Sequence, residues 1–343
     1  MHPNKKIKLL IVDDSIIFRE VLKKGISSDS GIEVVATAED PFDARDKIIR
    51  YKPDVMTCDV EMPKMNGIEF IRRLIPQYSL PVIMVTTLSD TVFDAMKAGA
   101  VDFVVKPDAR SVKDVENFVY EMIQKVKIAA AAKVLPSTPD ITQKISGYGI
   151  TNSDGIIAIG ASTGGTEAVF HILKCLPVNI PGVVIVQHIP PVFSRMFAER
   201  MDTSTQLTVK EAKNGDHVKN GCVYIAPGDM HMKIKRIGSR YKIECFDGEK
   251  VNGHRPSVDV LFDSVAKNAG PNALGIILTG MGYDGAKGLL NMRKAGAYTI
   301  GQDESSCVVY GMPKVAYNIG AVEKQSTLRQ IPILISSWAK EQK

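Results

Sequence analysis

Short β-branched runs alternating with helix-patterned segments constrain this chain more than any other feature. Lys8–Val12 (KLLIV) reads as a buried strand, and Ile16–Ile26 follows with apolar residues at helical spacing. Ile32–Ala36, Asp54–Cys58, Pro81–Thr86 and Val101–Val105 repeat the strand pattern, with a second helix expected over Pro41–Tyr51. The pattern resumes later in Ile156–Ile159, Val183–Val186, Cys222–Ala226 and Leu274–Leu278. Repeated strand-then-helix order calls for crossovers, and crossovers build parallel sheets covered on both faces. The expected fold class is α/β, with two doubly wound parallel-sheet domains.

A length of 343 residues exceeds one ordinary core and also points to two domains. The amphipathic stretch Val112–Lys127 reads as a helix that the following alanines continue briefly. Beyond them PSTPD and SGYG carry no apolar periodicity and read as a tether. The expected boundaries are a first domain over 5–126, a linker over 127–152 and a second domain over 153–343. A 45% hydrophobic and 24% charged composition is that of an ordinary soluble protein. The net charge of +5 comes without a dense Lys/Arg block, so no nucleic-acid partner is expected. No apolar run approaches a bilayer span, and the polar Met1–Lys8 is not a signal peptide, so membrane insertion is not expected and a cytoplasmic location is. The five cysteines are scattered with no C-x-x-C pair, which indicates neither a zinc site nor a disulfide framework.

Ligands of parallel sheets gather at the carboxyl ends of strands. Three acidic residues fall there in the first half, Asp13, Asp14 and Asp59. Crowded carboxylates repel one another unless a divalent cation holds them. Thr86 and Lys106 close two further strands and fall at the same edge. With VDDS at 12–15, CDVEMP at 58–63, MVTT at 84–87 and VVKP at 104–107, Lys5 to Val126 resembles the receiver domain of two-component response regulators, a flavodoxin-like fold. The resemblance implies that Asp59 accepts a phosphoryl group from a histidine kinase. It implies too that Asp14, Asp59 and the Glu61 carbonyl hold Mg²⁺, with Asp13 supporting through water. Thr86 and Lys106 are then the switch residues that contact the phosphoryl oxygens, and Lys106–Pro107 is expected to be a cis bond.

The second half turns on Ile156–Val169, IIAIGASTGGTEAV. A strand, then Gly160-Ala161-Ser162-Thr163-Gly164, then a helix opening at Thr166 fits the G-x-S-x-G nucleophile elbow. The glycine spacing fits neither the dinucleotide fingerprint nor a P-loop. His188 and Asp284 also lie just past buried strands, which places them with Ser162 on one sheet edge. A serine hydroxyl needs a base, and a carboxylate fixes the tautomer of that base. His254 and Asp259 remain rival partners. The order Ser, His, Asp disfavours an α/β-hydrolase, whose order is Ser, Asp, His. Thr163 N–H and Met281 N–H are the expected oxyanion donors.

The stretches IGASTGG at 159–165, VQHIPP at 186–191, YIAPG at 224–228, HRPSVD at 254–259, TGMGYDGA at 279–286 and VVYGMPKVA at 308–316 resemble the catalytic domain of the chemotaxis methylesterase family. Receiver-first domain order resembles it too. The resemblance implies a Rossmann-like α/β serine hydrolase with Ser162, His188 and Asp284 at the triad positions and no cofactor for the ester reaction. It implies hydrolysis of glutamate methyl esters on methyl-accepting chemoreceptors with release of methanol, and deamidation of receptor glutamines. Tyr283 departs from the small polar residue expected before the aspartate, and Arg255 is a candidate contact for the acidic receptor segment. An unphosphorylated receiver is expected to block the Ser162 edge. The rival classes are a DNA-binding transcriptional regulator, disfavoured because no basic helix-turn-helix follows the linker, and a nucleotide-binding module using the loop from Gly160 to Gly165.

Overall fold

A computed structural model describes residues 5–87, 91–107, 111–134 and 154–341. The chain divides into two compact units, Met1–Pro139 and Asp140–Lys343. In the first, β1 (Ile7–Val12), α1 (Ile16–Ile26), β2 (Ile32–Ala38), α2 (Pro41–Tyr51), β3 (Val55–Asp59), α3 (Gly67–Leu74), β4 (Val82–Thr86), α4 (Thr91–Lys97), β5 (Asp102–Val105) and α5 (Val112–Ala129) alternate along the chain. The strands form a five-stranded sheet in the order β2-β1-β3-β4-β5, parallel throughout. Every residue of β3 and β4 is buried, which is why both read as unbroken apolar runs. Helix starts follow local chemistry: Ser15 Oγ accepts Phe18 N–H, and Asp40 accepts the N–H groups of Phe42 and Asp43 ahead of Pro41 at the first turn.

The helix α5 runs through Lys127 to Ala129, and Ala130 to Ala132 then make turn bonds instead of extending it. The expected linker from 135 to 152 lies outside the described residues. Among the described residues no helix is long and apolar enough to cross a membrane.

The second unit continues with β6 (Ile156–Ala161), α6 (Gly165–Cys175), β7 (Gly182–Gln187), α7 (Phe193–Ser204), β8 (Thr208–Glu211) and β9 (Cys222–Ile225). The hairpin β10 (His231–Ile237) and β11 (Arg240–Phe246) follows, then α8 (Val258–Asn268), β12 (Ala273–Ile277), α9 (Ala286–Lys294), β13 (Tyr298–Gln302), α10 (Met312–Asn318), β14 (Lys324–Ser326) and α11 (Ile331–Glu341). Seven strands form a parallel sheet in the order β14-β13-β12-β6-β7-β9-β8. All residues of β6, β7 and β12 are buried, and each buried Ile or Val side chain contributes roughly 1.5–3 kcal/mol.

The hairpin is antiparallel and stands apart from the two parallel sheets. Its inward residues Met232, Ile234, Tyr241 and Ile243 alternate with more exposed ones and pack on the core below α8. Ser264 Oγ accepts Ile234 N–H at 3.0 Å and Asn268 Oδ1 accepts Arg236 N–H at 3.0 Å, so α8 side chains cover the outer edge of β10.

Candidate active site

The order in which strands are added reverses around β6, with β7 on one side and β12, reached much later, on the other. Such a switch point opens a crevice beyond the strand ends. Ala161 pairs with Gln187, and His188 N–H then bonds Ala161 O at 3.1 Å, which sets Ser162 and His188 side by side. On the other flank Ser162 N–H bonds Thr279 O at 3.0 Å. Gly165 N–H closes the elbow onto Ser162 O at 2.7 Å, and Gly164 at φ 75° leads into α6.

The loop after β12 brings Asp284 to the same edge, where His188 Nε2 lies 2.9 Å from Asp284 Oδ2. His188 Nδ1 is buried and has no hydrogen-bond partner among the described residues. Nε2 therefore carries the proton that Asp284 accepts, and Nδ1 is the nitrogen left to act as base. Ser162 Oγ makes no hydrogen bond among the described residues. Catalytic hydroxyls often close onto their base only in the substrate complex.

Asp284 is 1% exposed and sits against the N-terminus of α8. Val258 N–H donates to Oδ2 at 2.7 Å; Ser257 Oγ at 2.8 Å, Asn252 Nδ2 at 2.8 Å and Asp259 N–H at 3.3 Å donate to Oδ1. Burial alone raises a carboxyl's pKa, but here the bonds from His188, Asn252 and Val258 outweigh it and hold Asp284 well below the ordinary carboxylate range. The positive end of the helix dipole acts in the same direction. Asp284 is thus a permanent anion facing His188.

The rivals His254 and Asp259 prove to be neighbours of the same pair. The His254 ring lies parallel to that of His188, with centroids 3.8 Å apart and planes 7° apart. Burial, with His188 beside it, lowers His254 to about 4. Asp259 is buried and bonds Gly288 N–H at 2.6 Å, and its other oxygen accepts Asn252 Nδ2 at 2.7 Å. Burial and nearby Asp284 raise its pKa against those two bonds. Facing α9 and Asn252, Asp259 takes no hydrogen bond from His188, which spends its donor on Asp284.

Thr279 ties the elbow to the loop that carries Met281. Its Oγ1 donates to Thr163 O at 3.0 Å and accepts Val309 N–H at 2.9 Å, all buried. A Cβ on Gly280 would lie 2.6 Å from Ser162 Cβ and 2.5 Å from Met312 Sδ, so only glycine lets this loop approach Ser162. Replacing Gly280 with alanine is therefore expected to push Met281 away and lower kcat about 10²-fold, with a smaller change in KM, read by ester hydrolysis kinetics. Met281 is 44% exposed, and its N–H is in no hydrogen bond among the described residues. Thr163 is buried directly after Ser162. Tyr283 is 58% exposed at the rim. Arg255 does not present a free cation for an acidic segment: Nε bonds Asp229 at 2.9 Å, Nη1 bonds Gly248 O at 2.6 Å, and Asp247 pairs with it as well. Asn252 and Ser257 were not singled out by the sequence, although the Asn252-Gly253 pair is a strong turn signal.

In the first unit the switch point lies between β1 and β3. Carboxylate oxygens of Asp13, Asp14 and Asp59 lie within 4.8 Å of one another, with Asp13 and Asp59 buried and Asp14 exposed. Lys106 Nζ donates to Asp59 Oδ2 at 2.6 Å and lies 2.9 Å from Asp13 Oδ2, an ion pair without hydrogen-bond alignment. Burial raises the Asp59 carboxyl above its usual range, and Asp13 adds to this while Lys106 opposes it. Three convergent oxygens, one of them unbonded, fit a hard divalent cation. Glu61 N–H lies 3.4 Å from Asp59 Oδ1, which places Glu61 at the same edge. Thr86 ends β4 beside Asp59, and Lys106 N–H bonds Thr86 O at 2.7 Å. The Lys106–Pro107 peptide is trans, contrary to expectation; the cis peptide among the described residues is Arg255–Pro256.

A family model described as CheB methylesterase matches residues 157–335, and one described as response regulator receiver domain matches 9–115. The chain is 60% identical over 328 residues to protein-glutamate methylesterase/protein-glutamine glutaminase 2 of Syntrophomonas wolfei, covering 95% of this chain and 96% of that one. It is 48% identical over 331 residues to the protein-glutamate methylesterase/protein-glutamine glutaminase of Salmonella typhimurium, covering 95% of each. The crystal structure of the Thermotoga maritima CheB methylesterase catalytic domain superposes with a TM-score of 0.53 at 39% identity, over 54% of this chain and 99% of that one. With both family models matched and relatives this similar over 95% of its length, the chain belongs to the CheB methylesterase family.

Proposed function

We infer that this chain is a phosphorylation-controlled protein-glutamate methylesterase that also deamidates glutamine, acting on chemoreceptors in chemotaxis adaptation. The observation that carries the reading is Ser162 held between the His188–Asp284 pair and the Thr279–Met281 loop. Ser162 Oγ attacks the glutamyl ester carbonyl while its proton passes to His188 Nδ1. Thr163 and Met281 N–H groups hold the oxyanion. Collapse breaks the C–O bond, and His188 returns the proton to methoxide, which leaves as methanol. Water, deprotonated by His188, then releases glutamate and restores Ser162. A glutamine follows the same path with ammonia as the leaving group. Asp284 stays ionised throughout and stabilises the imidazolium.

In the receiver, Asp59 is the phosphoryl acceptor, and Thr86 and Lys106 are the switch residues. Asp13, Asp14, Asp59 and Glu61 would hold Mg²⁺, which supplies charge neutralisation for the incoming phosphoryl oxygens. Lys106 donates to the buried Asp59 and opposes the rise in pKa that burial imposes on it. A chemotaxis histidine kinase is the phosphodonor and methylated chemoreceptors are the substrate.

Methanol release from methylated receptor cytoplasmic fragments tests this, comparing the wild type with Ser162→Ala, each with and without a small phosphodonor. Release is expected to require Ser162 and to rise with phosphodonor. Release that survives Ser162→Ala overturns the triad.

A further inference from the structure

The polypeptide between β11 and α8 supplies a side chain to each of the two groups that flank Ser162's chemistry. Val251 N–H bonds His254 O at 3.0 Å and His254 N–H bonds Val251 O at 2.9 Å, closing a tight turn. Its central residues, Asn252 and Gly253, take φ of 53° and 81°, the signature of a type I′ turn. From this turn Asn252 Nδ2 bridges Asp284 Oδ1 at 2.8 Å and Asp259 Oδ2 at 2.7 Å. Two residues on, the His254 ring lies flat on His188, 3.8 Å between centroids. The turn is anchored from outside by Arg255, bonded to Asp229 and Gly248 O.

We propose that the Val251–His254 turn is a positioning device for the acid–base pair: Asn252 fixes the Asp284 carboxylate, and His254, stacked on His188, fixes the plane of the base. This rests on the reading of Ser162, His188 and Asp284 as the triad.

Two buried carboxyl groups, Asp259 and Asp284, lie side by side, and one amide that donates to both bridges them without adding charge. Asn252 contributes no charge, so it orients Asp284 and leaves its anion intact for His188. The His188 ring is held in its plane by one bond, at Nε2, and a single bond leaves an imidazole free to rotate about it. A parallel ring at van der Waals distance removes that freedom. His254 faces His188, Asp284 and Lys250; burial and His188 keep it neutral above about pH 4, so its face does not repel an imidazolium. The turn thus sets the direction of Nδ1 toward Ser162.

The test uses the full chain with methylated receptor fragments, measuring kcat and KM, and a fluorophosphonate probe, measuring the rate of Ser162 labelling. His254→Phe keeps a flat ring, and His254→Leu fills the space without one. Asn252→Gly keeps the positive-φ turn and removes the amide. The leucine and glycine variants are expected to lose about tenfold or more in kcat and in labelling rate, with KM unchanged, whereas His254→Phe stays within about threefold of wild type. Melting temperatures near wild type for the phenylalanine and leucine variants make them a matched pair. Equal rates for His254→Phe and His254→Leu, or a wild-type rate in Asn252→Gly, overturn the proposal. Loss that appears only in KM overturns it as well. Release that needs Ser162 but ignores the turn variants removes the role of the turn alone, whereas release that survives Ser162→Ala removes the triad itself.

Discussion

An Asp284→Asn chain is expected to fold and to hydrolyse the methyl ester about 10⁴-fold more slowly than the wild type in kcat. Five donors converge on this carboxylate: His188 Nε2, Val258 N–H, Ser257 Oγ, Asn252 Nδ2 and Asp259 N–H. An asparagine has one acceptor oxygen and an NH₂ that can only donate. If the oxygen faces Ser257, Asn252 and Asp259, the NH₂ faces His188. The imidazole must then accept at Nε2 and carry its proton on Nδ1, the nitrogen meant to receive the proton of Ser162. If the oxygen faces His188 instead, the NH₂ opposes the three donors on the other side, at about 1–3 kcal/mol for each group left unsatisfied. The first arrangement satisfies more donors and disables the base. Steady-state kinetics with receptor fragments measure the loss; a fall of less than about tenfold would sink the role given to Asp284.

The same replacement carries a pH signature. Asp284's folded-state pKa lies below its unfolded value near 3.9, so it binds fewer protons folded than unfolded between the two. Its contribution to stability is complete above the unfolded pKa and is lost as pH falls through the folded one. The stability gap between wild type and Asp284→Asn is therefore expected to be constant near neutrality and to narrow below about pH 4. Denaturant unfolding at a series of pH values measures it.

What the sequence made legible follows from burial. Where both sheet faces are covered, as in β3, β4, β6, β7 and β12, strands are unbroken apolar runs, and the residue just past each one falls at the strand-end edge. That logic was enough for Ser162, His188, Asp13, Asp14 and Asp59, whose positions are fixed by strand register. It failed for the hairpin, where one face is wet and the signal is alternation, HMKIKRI and RYKIECF around Gly238. It ranked Asp284 ahead of Asp259 only because a buried strand precedes Asp284. Both end near His188, and only the fold shows that the α8 N-terminus and Asn252 present Asp284, not Asp259, to the imidazole. The ion pairs of Arg255 were hidden for a related reason, since its partners Asp229 and Asp247 lie in loops that only tertiary structure brings together.

In the receiver, Asp59→Asn is expected to abolish phosphoryl uptake from a small phosphodonor and, with it, all stimulation of methanol release. As the proposed acceptor, Asp59 would form an O–P bond from a carboxylate oxygen as the phosphodonor's own bond to phosphorus breaks, and an amide oxygen lacks the charge to form it. The site is built to keep that charge where burial opposes it: Asp59 is 3% exposed, and burial with Asp13 raises its pKa. The Lys106 ammonium, 2.6 Å from Asp59 and 2.9 Å from Asp13, works against that shift. Lys106→Met removes this counter-charge and leaves the nucleophile in place. Its expected phenotype is therefore slower labelling that recovers as pH rises, whereas Asp59→Asn stays unlabelled at every pH. Incorporation of labelled phosphate, followed from pH 5 to 8, separates the two. Equal labelling of Asp59→Asn and wild type would show that another residue accepts the phosphoryl group, and a pH-independent Lys106→Met would show that the lysine acts on the product alone.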